Sequence, residues 1–258
     1  KKMFSTANVP YKIKNDDEVL KDPKNTIDFD HTLHQKIMHD IKKIGTDARL
    51  VLDQEQVVHV SMAEKLLVLQ LSKLSNFIPD GGIWLNTQRP EWNDANNALV
   101  GYGVSMVTLY YLNRHISFIN KVLASVNESE FEMSSEVFDW FREINETYQE
   151  YSPSVNERLD AFERKTFVQE LQKVFSNYRQ KTYNKGSGGK KKIKVINIIN
   201  FNNLVLAHFK NSINNNYKKS LYSAYNTINI DTSNKINVTS LYSMLEGQVL
   251  VSQVHIPL

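Results

Sequence analysis

Residues 79–126 read PDGGIWLNTQRPEWNDANNALVGYGVSMVTLYYLNRHISFINKVLASV, and two unlike halves meet in them. The first half, 79–103, follows neither a helical nor a strand period. It nevertheless carries Trp84 and Trp92, two of the chain's three tryptophans, together with Arg89 and the acids Asp80, Glu91 and Asp94. A loop of that length inside a compact domain is usually functional or disordered, and this composition argues against disorder. It reads as a site-building loop. The second half, 104–126, places Val107, Leu109, Tyr110, Leu112, Ile116, Phe118 and Ile119 on nearly all faces of a helix, the pattern of a helix buried by other helices. Asn113, Arg114 and His115 interrupt it where a membrane span would rarely tolerate them.

Upstream, Phe29, Leu33, Ile37, Ile41 and Ile44 recur at helical steps over 28–44, with Gly45 as a left-handed stop. The short β-branched runs 49–52 and 56–60, separated by DQE, predict a small hairpin. Ser61 with Glu64 forms a capping-box pattern, and Leu66, Leu67, Leu69, Leu71 and Leu74 carry a helix to about Phe77, which delivers the chain into the loop. Downstream, Val137, Trp140, Phe141, Ile144 and Tyr148 define an amphipathic helix over 134–151. A second capping-box pattern, Ser154 with Glu157, predicts a long helix to about Tyr183 with the stripe Leu159, Phe162, Phe167, Leu171, Val174, Phe175 and Tyr178. Gly186, Gly188 and Gly189 break the pattern, and 194–199 suits either a strand or a helix entry. Helices are expected over 203–213 and 240–251, with 217–225 a weaker candidate. Long helices in consecutive order imply helical hairpins and a mainly α class. Residues 1–27, with Pro10 and Pro23, read as an irregular N-terminal segment, and 28–258 as the helical domain.

With 258 residues and 41% hydrophobic content the chain can bury a sizeable core. Its 31 basic and 28 acidic residues are too balanced to imply a nucleic-acid partner, and the cluster Lys190, Lys191, Lys192 and Lys194 reads as a solvated loop. The absence of cysteine excludes disulfides, thiolate metal sites and a cysteine nucleophile. His31, His34 and His39 share one predicted helix but have no acid cluster at ligand spacing, so no metal site is expected. His59, beside the first capping box, could face the loop. The N-terminal KKMFSTANVPYK has no secretory core, which gives the expectation of a cytoplasmic protein with no membrane partner. A chain that starts without Met and ends at HIPL reads as a piece of a longer protein, whose other domains are further candidate partners.

The residue types in the loop suit the cleavage of a sugar linkage. Glu91 and Asp94 lie three apart, with Trp92 and Asn93 between them and Arg89 just before. A proton-donating acid, an aromatic plane for a sugar ring and amide or guanidinium donors for hydroxyls are what breaking a glycosidic bond requires. Spacing alone also fits a structural reading, with Asp94 a helix cap, Trp92 a core anchor and Arg89 an ion-pair partner. Tyr222, Tyr225 and Asn226 either add a sugar platform and an amide donor or pack the core.

The run Glu91-Trp92-Asn93-Asp94-Ala95-Asn96-Asn97, ending in Val100-Gly101, resembles the D-W-N-D-G-x-N-x-x-G signature of the cellobiose and chitobiose phosphorylase family, of the six-hairpin (α/α)6 glycosidase clan. The wider stretch 85–114, together with LYSMLEGQV at 241–249, resembles a group of large, mostly uncharacterised bacterial proteins related to those phosphorylases. The resemblance implies helical hairpins of an (α/α)6 toroid, incomplete in this chain, with a few short strands. It implies that Asp94 is the general acid of an inverting reaction on an oligosaccharide or glycoside, with Trp92, Asn93, Arg89 and Asn97 holding the sugar. Glu91 stands where the signature has Asp, and Ala95 where it has Gly. Hydrolysis needs a second carboxylate, for which Glu246 and Glu91 are the candidates. Glu246 equally suits an ion pair or a cap. Phosphorolysis needs inorganic phosphate as co-substrate, and neither reaction calls for another cofactor. A non-catalytic carbohydrate-binding or structural helical scaffold is the alternative.

Overall fold

A computed structural model of the chain describes residues 2–53, 55–86, 98–152, 158–184, 188–218, 221–230, 235–241 and 253–254. In chain order the elements are β1 (Lys2–Phe4), β2 (Tyr11–Ile13), α1 (Asp16–Lys21), β3 (Ile27–Phe29), α2 (His31–Ile44), a 3-10 turn (Gly45–Arg49), β4 (Leu52–Asp53), β5 (Gln56–Val57), β6 (Val60–Ser61), α3 (Met62–Leu74), β7 (Phe77–Ile78) and β8 (Gly82–Trp84). There follow β9 (Gly103–Ser105), α4 (Met106–Ser125), β10 (Glu130–Ser134), α5 (Ser135–Glu150), α6 (Ala161–Asn184), β11 (Lys190–Lys194), α7 (Val195–Asn215), β12 (Tyr217–Lys218), β13 (Leu221–Ser223), β14 (Tyr225–Ile230), β15 (Ile236–Ser240) and β16 (Gln253–Val254). The class is mainly α. Stretch 1–27, expected to be irregular, contains two short strands and a six-residue helix.

Helix ends follow local chemistry. Asp30 caps α2 by accepting from Leu33 N at 2.8 Å, and Gly45 closes it at φ +73°. Ser61 caps α3 by accepting from Glu64 N at 3.1 Å, but Glu64 does not return the bond. Its buried carboxylate accepts instead from Ser134 N at 3.1 Å, tying α3 to the start of α5. Helix α6 begins at Ala161. Its capping box is Asp160 with Glu163: the Asp160 carboxylate accepts from Glu163 N and the Glu163 carboxylate from Asp160 N, both at 2.9 Å. The Ser154–Glu157 pattern lies outside the described residues, and Phe162 of the expected stripe is 52% exposed.

The main core joins α3, α4, α5, α6 and α7. Trp140 stacks on Tyr178 at 4.0 Å, and Phe77 gathers Tyr148, Phe167 and Phe209 around it. Helix α5 packs on its successor α6, whereas α4 packs on α7, three helices further along the chain. A smaller core of Val19, Ile78, Trp84, Val104, Val168, Ile228 and Ile236 lies between α1, α6 and an antiparallel five-stranded sheet of order β15-β14-β9-β8-β7.

Two expectations are corrected here. The weak helix over 217–225 is strand at its described residues 217–218, 221–223 and 225: the segment carries Tyr217, Tyr222 and Tyr225, β12 pairs with β13, β13 with β16, and Tyr225 opens β14. The lysine cluster is strand β11, with Ile193 buried and Glu130–Ser134 paired opposite, so that Lys192 Nζ lies 2.6 Å from a Glu130 oxygen. The 194–199 ambiguity resolves as the strand end followed by α7. Most of the 240–251 helix candidate lies outside the described residues. Among the described residues no helix is long and apolar enough to cross a membrane.

Candidate functional site

Arg89, Glu91, Trp92, Asn93, Asp94, Asn97 and Glu246 lie outside the described residues. What the structure does describe is the two ends of the segment that carries the first six. One end is Asn86, just beyond β8, and the other is Ala98, just before β9. Strands β8 and β9 are neighbours in the sheet, with Ile83 opposite Ser105 and Trp84 opposite Val104. The pairing continues past the strand ends: Leu85 N donates to Gly103 O at 2.9 Å and Gly101 N donates to Leu85 O at 2.7 Å.

A set of side-chain hydrogen bonds locks this neck. Trp84 is 3% exposed and its Nε1 donates to Gly101 O at 3.1 Å, while Tyr102 OH donates to Ala98 O at 2.7 Å. Asn86 Nδ2 donates to Asn76 Oδ1 at 2.7 Å, and Thr26 Oγ1 donates to Asn86 O at 2.6 Å. Gln172 Nε2, from α6, donates to Asn76 Oδ1 at 2.9 Å and to Ser75 O at 2.7 Å. Gly101 takes φ +91°, and a Cβ there would sit 2.7 Å from Lys24 Cγ and 2.9 Å from Pro23 O. Glycine is required at that point by both conformation and space.

The other end of β8 is fixed by a buried ion pair. Asp80, at φ +63°, accepts from Arg164 Nη2 at 3.1 Å and from Asn215 Nδ2 at 2.6 Å. Arg164 also donates to Pro79 O, Ile236 O and Leu159 O at 2.9–3.0 Å. Asn216 Nδ2 donates to Asp80 O, and Ser212 Oγ accepts from Asp80 N. Asn226, expected as a possible sugar donor, belongs to this network: it is 1% exposed, and its Nδ2 donates to Gly81 O and to Asn216 Oδ1, both at 2.8 Å. Both amide hydrogens are used inside the protein. Tyr225 beside it is half-buried in β14, opposite Ser105.

Burial favours the neutral forms of the tyrosines and of the histidine near this framework. Burial pushes the Tyr110 and Tyr148 hydroxyls well above the usual tyrosine range, and Tyr110 OH donates to Ser223 O at 2.9 Å. Burial lowers the His208 imidazole. Among the described residues no group of three or more acids and histidines could hold a metal ion.

Reading only apolar periodicity overlooked the brace beneath the loop. Arg164, Val168, Gln172, Ser176 and Arg179 recur along one face of α6, all at least nine-tenths buried. A helical stripe of mixed polarity was the available signal. It points to a face that braces polar backbone, here the turn before β8 and the strand ends. Chemically, the arrangement fixes both ends of the segment bearing Glu91 and Asp94 to one hydrogen-bonded strand pair, the preorganised support that a catalytic or binding loop needs. No protein-family description matches the sequence, and no curated protein is significantly similar to it.

Proposed function

We propose that this chain is a carbohydrate-active protein that breaks a glycosidic bond with inversion, on a helical framework of the (α/α)6 type. Asp94 gives its proton to the leaving glycosidic oxygen. The anomeric carbon is attacked from the opposite face, either by water deprotonated by Glu91 or Glu246 or by inorganic phosphate. A water-activating carboxylate would stand about 6.5–9.5 Å from Asp94. Trp92, Asn93, Arg89 and Asn97 hold the sugar, with Tyr225 on the neighbouring strand as a further ring-stacking candidate.

The observation that supports this reading is the neck: the acid-bearing segment departs from and returns to adjacent, mutually hydrogen-bonded strands, with the exit residue Asn86 held by Asn76 and Thr26 and Asn76 held in turn by Gln172. The test is sugar release from a panel of oligosaccharides, with and without phosphate. Asp94→Asn is expected to lower turnover by about 10²–10⁴-fold, the usual weight of a general acid. A phosphate requirement would identify a phosphorylase, and activity without phosphate a hydrolase. The internal use of Asn226 favours a second reading, a non-catalytic sugar-binding scaffold. That reading predicts sugar binding without turnover, equal in the wild-type protein and in Asp94→Asn.

A further inference from the structure

Away from the loop, the first half of α3, the second half of α4, strand β10 and the start of α7 enclose a cavity of about 380 Å³, within the size range of small-molecule sites. Leu66, Leu67, Ile119, Leu123, Phe131 and Ile198 form its walls. One polar side chain reaches it from within the core: Gln70 is 2% exposed and still lines the cavity.

Gln70 is the first member of a directional amide chain. Its Nε2 donates to Asn202 Oδ1 at 2.6 Å, Asn202 Nδ2 donates to Asn120 Oδ1 at 2.7 Å, and Asn120 Nδ2 donates to Asn203 Oδ1 at 2.9 Å. The amides are tied to one another, because flipping one alone would set two oxygens or two NH2 groups face to face. In the structure every donor of the chain points away from Gln70. Gln70 Oε1 is left as the terminal acceptor, and nothing among the described residues donates to it. An acceptor that no protein group satisfies is open to a donor from the cavity, and aligned amides raise its basicity. No basic residue lines the cavity, and the carboxylate of Glu128 stands at its exposed rim. That wall chemistry rejects carboxylates and phosphates.

We propose that this cavity binds an uncharged apolar molecule bearing one hydroxyl donor, of the alcohol or phenol class, whose O–H is read by Gln70 Oε1. The site is independent of the proposed glycosidic chemistry. Its concavity and its single open amide acceptor suit a small ligand better than a flat protein surface.

Three probes of one ring system separate the contributions: 1-naphthol, naphthalene and 1-naphthoate, titrated calorimetrically against the full chain. Saturable binding of 1-naphthol about fivefold or more tighter than naphthalene is expected, the weight of roughly one hydrogen bond, with 1-naphthoate the weakest. In Gln70→Leu the preference for naphthol over naphthalene should vanish. Ala63→Trp fills the cavity and leaves the amide chain intact, so it should weaken all probes and keeps the test decisive if Gln70→Leu does not fold. Equal affinity for naphthol and naphthalene in the wild-type protein, tightest binding of naphthoate, or indifference to Ala63→Trp would overturn the proposal. So would the absence of saturable binding together with a dimer that Ala63→Trp dissociates, since a second copy would then be the occupant.

Discussion

Arg164 directs its guanidinium to four acceptors at once, the Asp80 carboxylate and the carbonyls of Pro79, Leu159 and Ile236, which belong to three separate stretches of chain. Lysine offers a single ammonium centre and cannot reproduce that planar fork. Arg164→Met keeps most of the volume and strands Asp80, whose side chain is only 13% exposed, with an uncompensated charge. The expected loss is on the order of 3–5 kcal/mol, read as a shift in the urea unfolding midpoint. Arg164→Lys should recover only part of it. Adding Asp80→Asn to Arg164→Met should cost less than the sum of the two single changes. Strict additivity would show that the two charges do not depend on each other.

At the level of elements, α6 shows what sequence can and cannot decide. Two stretches upstream of it, Ser154 to Glu157 and Asp160 to Glu163, carry the same capping pattern, and local sequence gives no reason to prefer the first. The structure starts the helix after Asp160, because Leu159 must be buried and Arg164 must reach the turn before β8. Asp160→Ala removes the acceptor for both Phe162 N and Glu163 N, and should lower stability by about 1 kcal/mol, measured by chemical denaturation. An effect near zero would mean that another group takes over the cap. Helices α2 and α3 were legible because a cap or stop residue coincides with the start or end of an apolar period, and α4 and α5 from their apolar positions alone. Strands β8, β9 and β14 were not. They are short and pair across long separations in sequence, so neither period nor turn chemistry announces them.

Over the whole molecule, the polar groups that hold Asn86 at the neck are amides and a hydroxyl with no titrating proton, so the fold's response to pH falls to histidines shifted by burial. The chemistry-bearing residues of the loop were legible by type and order, but the brace was not, since its members come from α1's exit, α3's end and α6. His208 is one of these histidines. It is 7% exposed, its Nε2 lies 3.3 Å from Tyr148 O and therefore carries the hydrogen, and the rings of Tyr148 and Phe167 enclose it. Burial lowers its pKa below the ordinary 6.5, an effect that the Tyr148 carbonyl only partly offsets. His115 is lowered by burial as well. Above the unfolded value both states are neutral and the stabilisation is complete. As pH falls from the unfolded value toward the lower folded one, the unfolded chain takes up protons that the folded chain refuses, so stability declines by up to about 1.4 kcal/mol per pH unit for each such group. The urea midpoint should therefore drop between about pH 7 and pH 5, in a range where the model-compound value of histidine places its titration. His208→Phe keeps a ring between Tyr148 and Phe167 and removes one titrating group, so its midpoint should depend less steeply on pH, with the remaining slope carried by His115. An unchanged slope would mean that His208 takes up its proton in the folded state, and that the interior around Phe167 opens to water without unfolding.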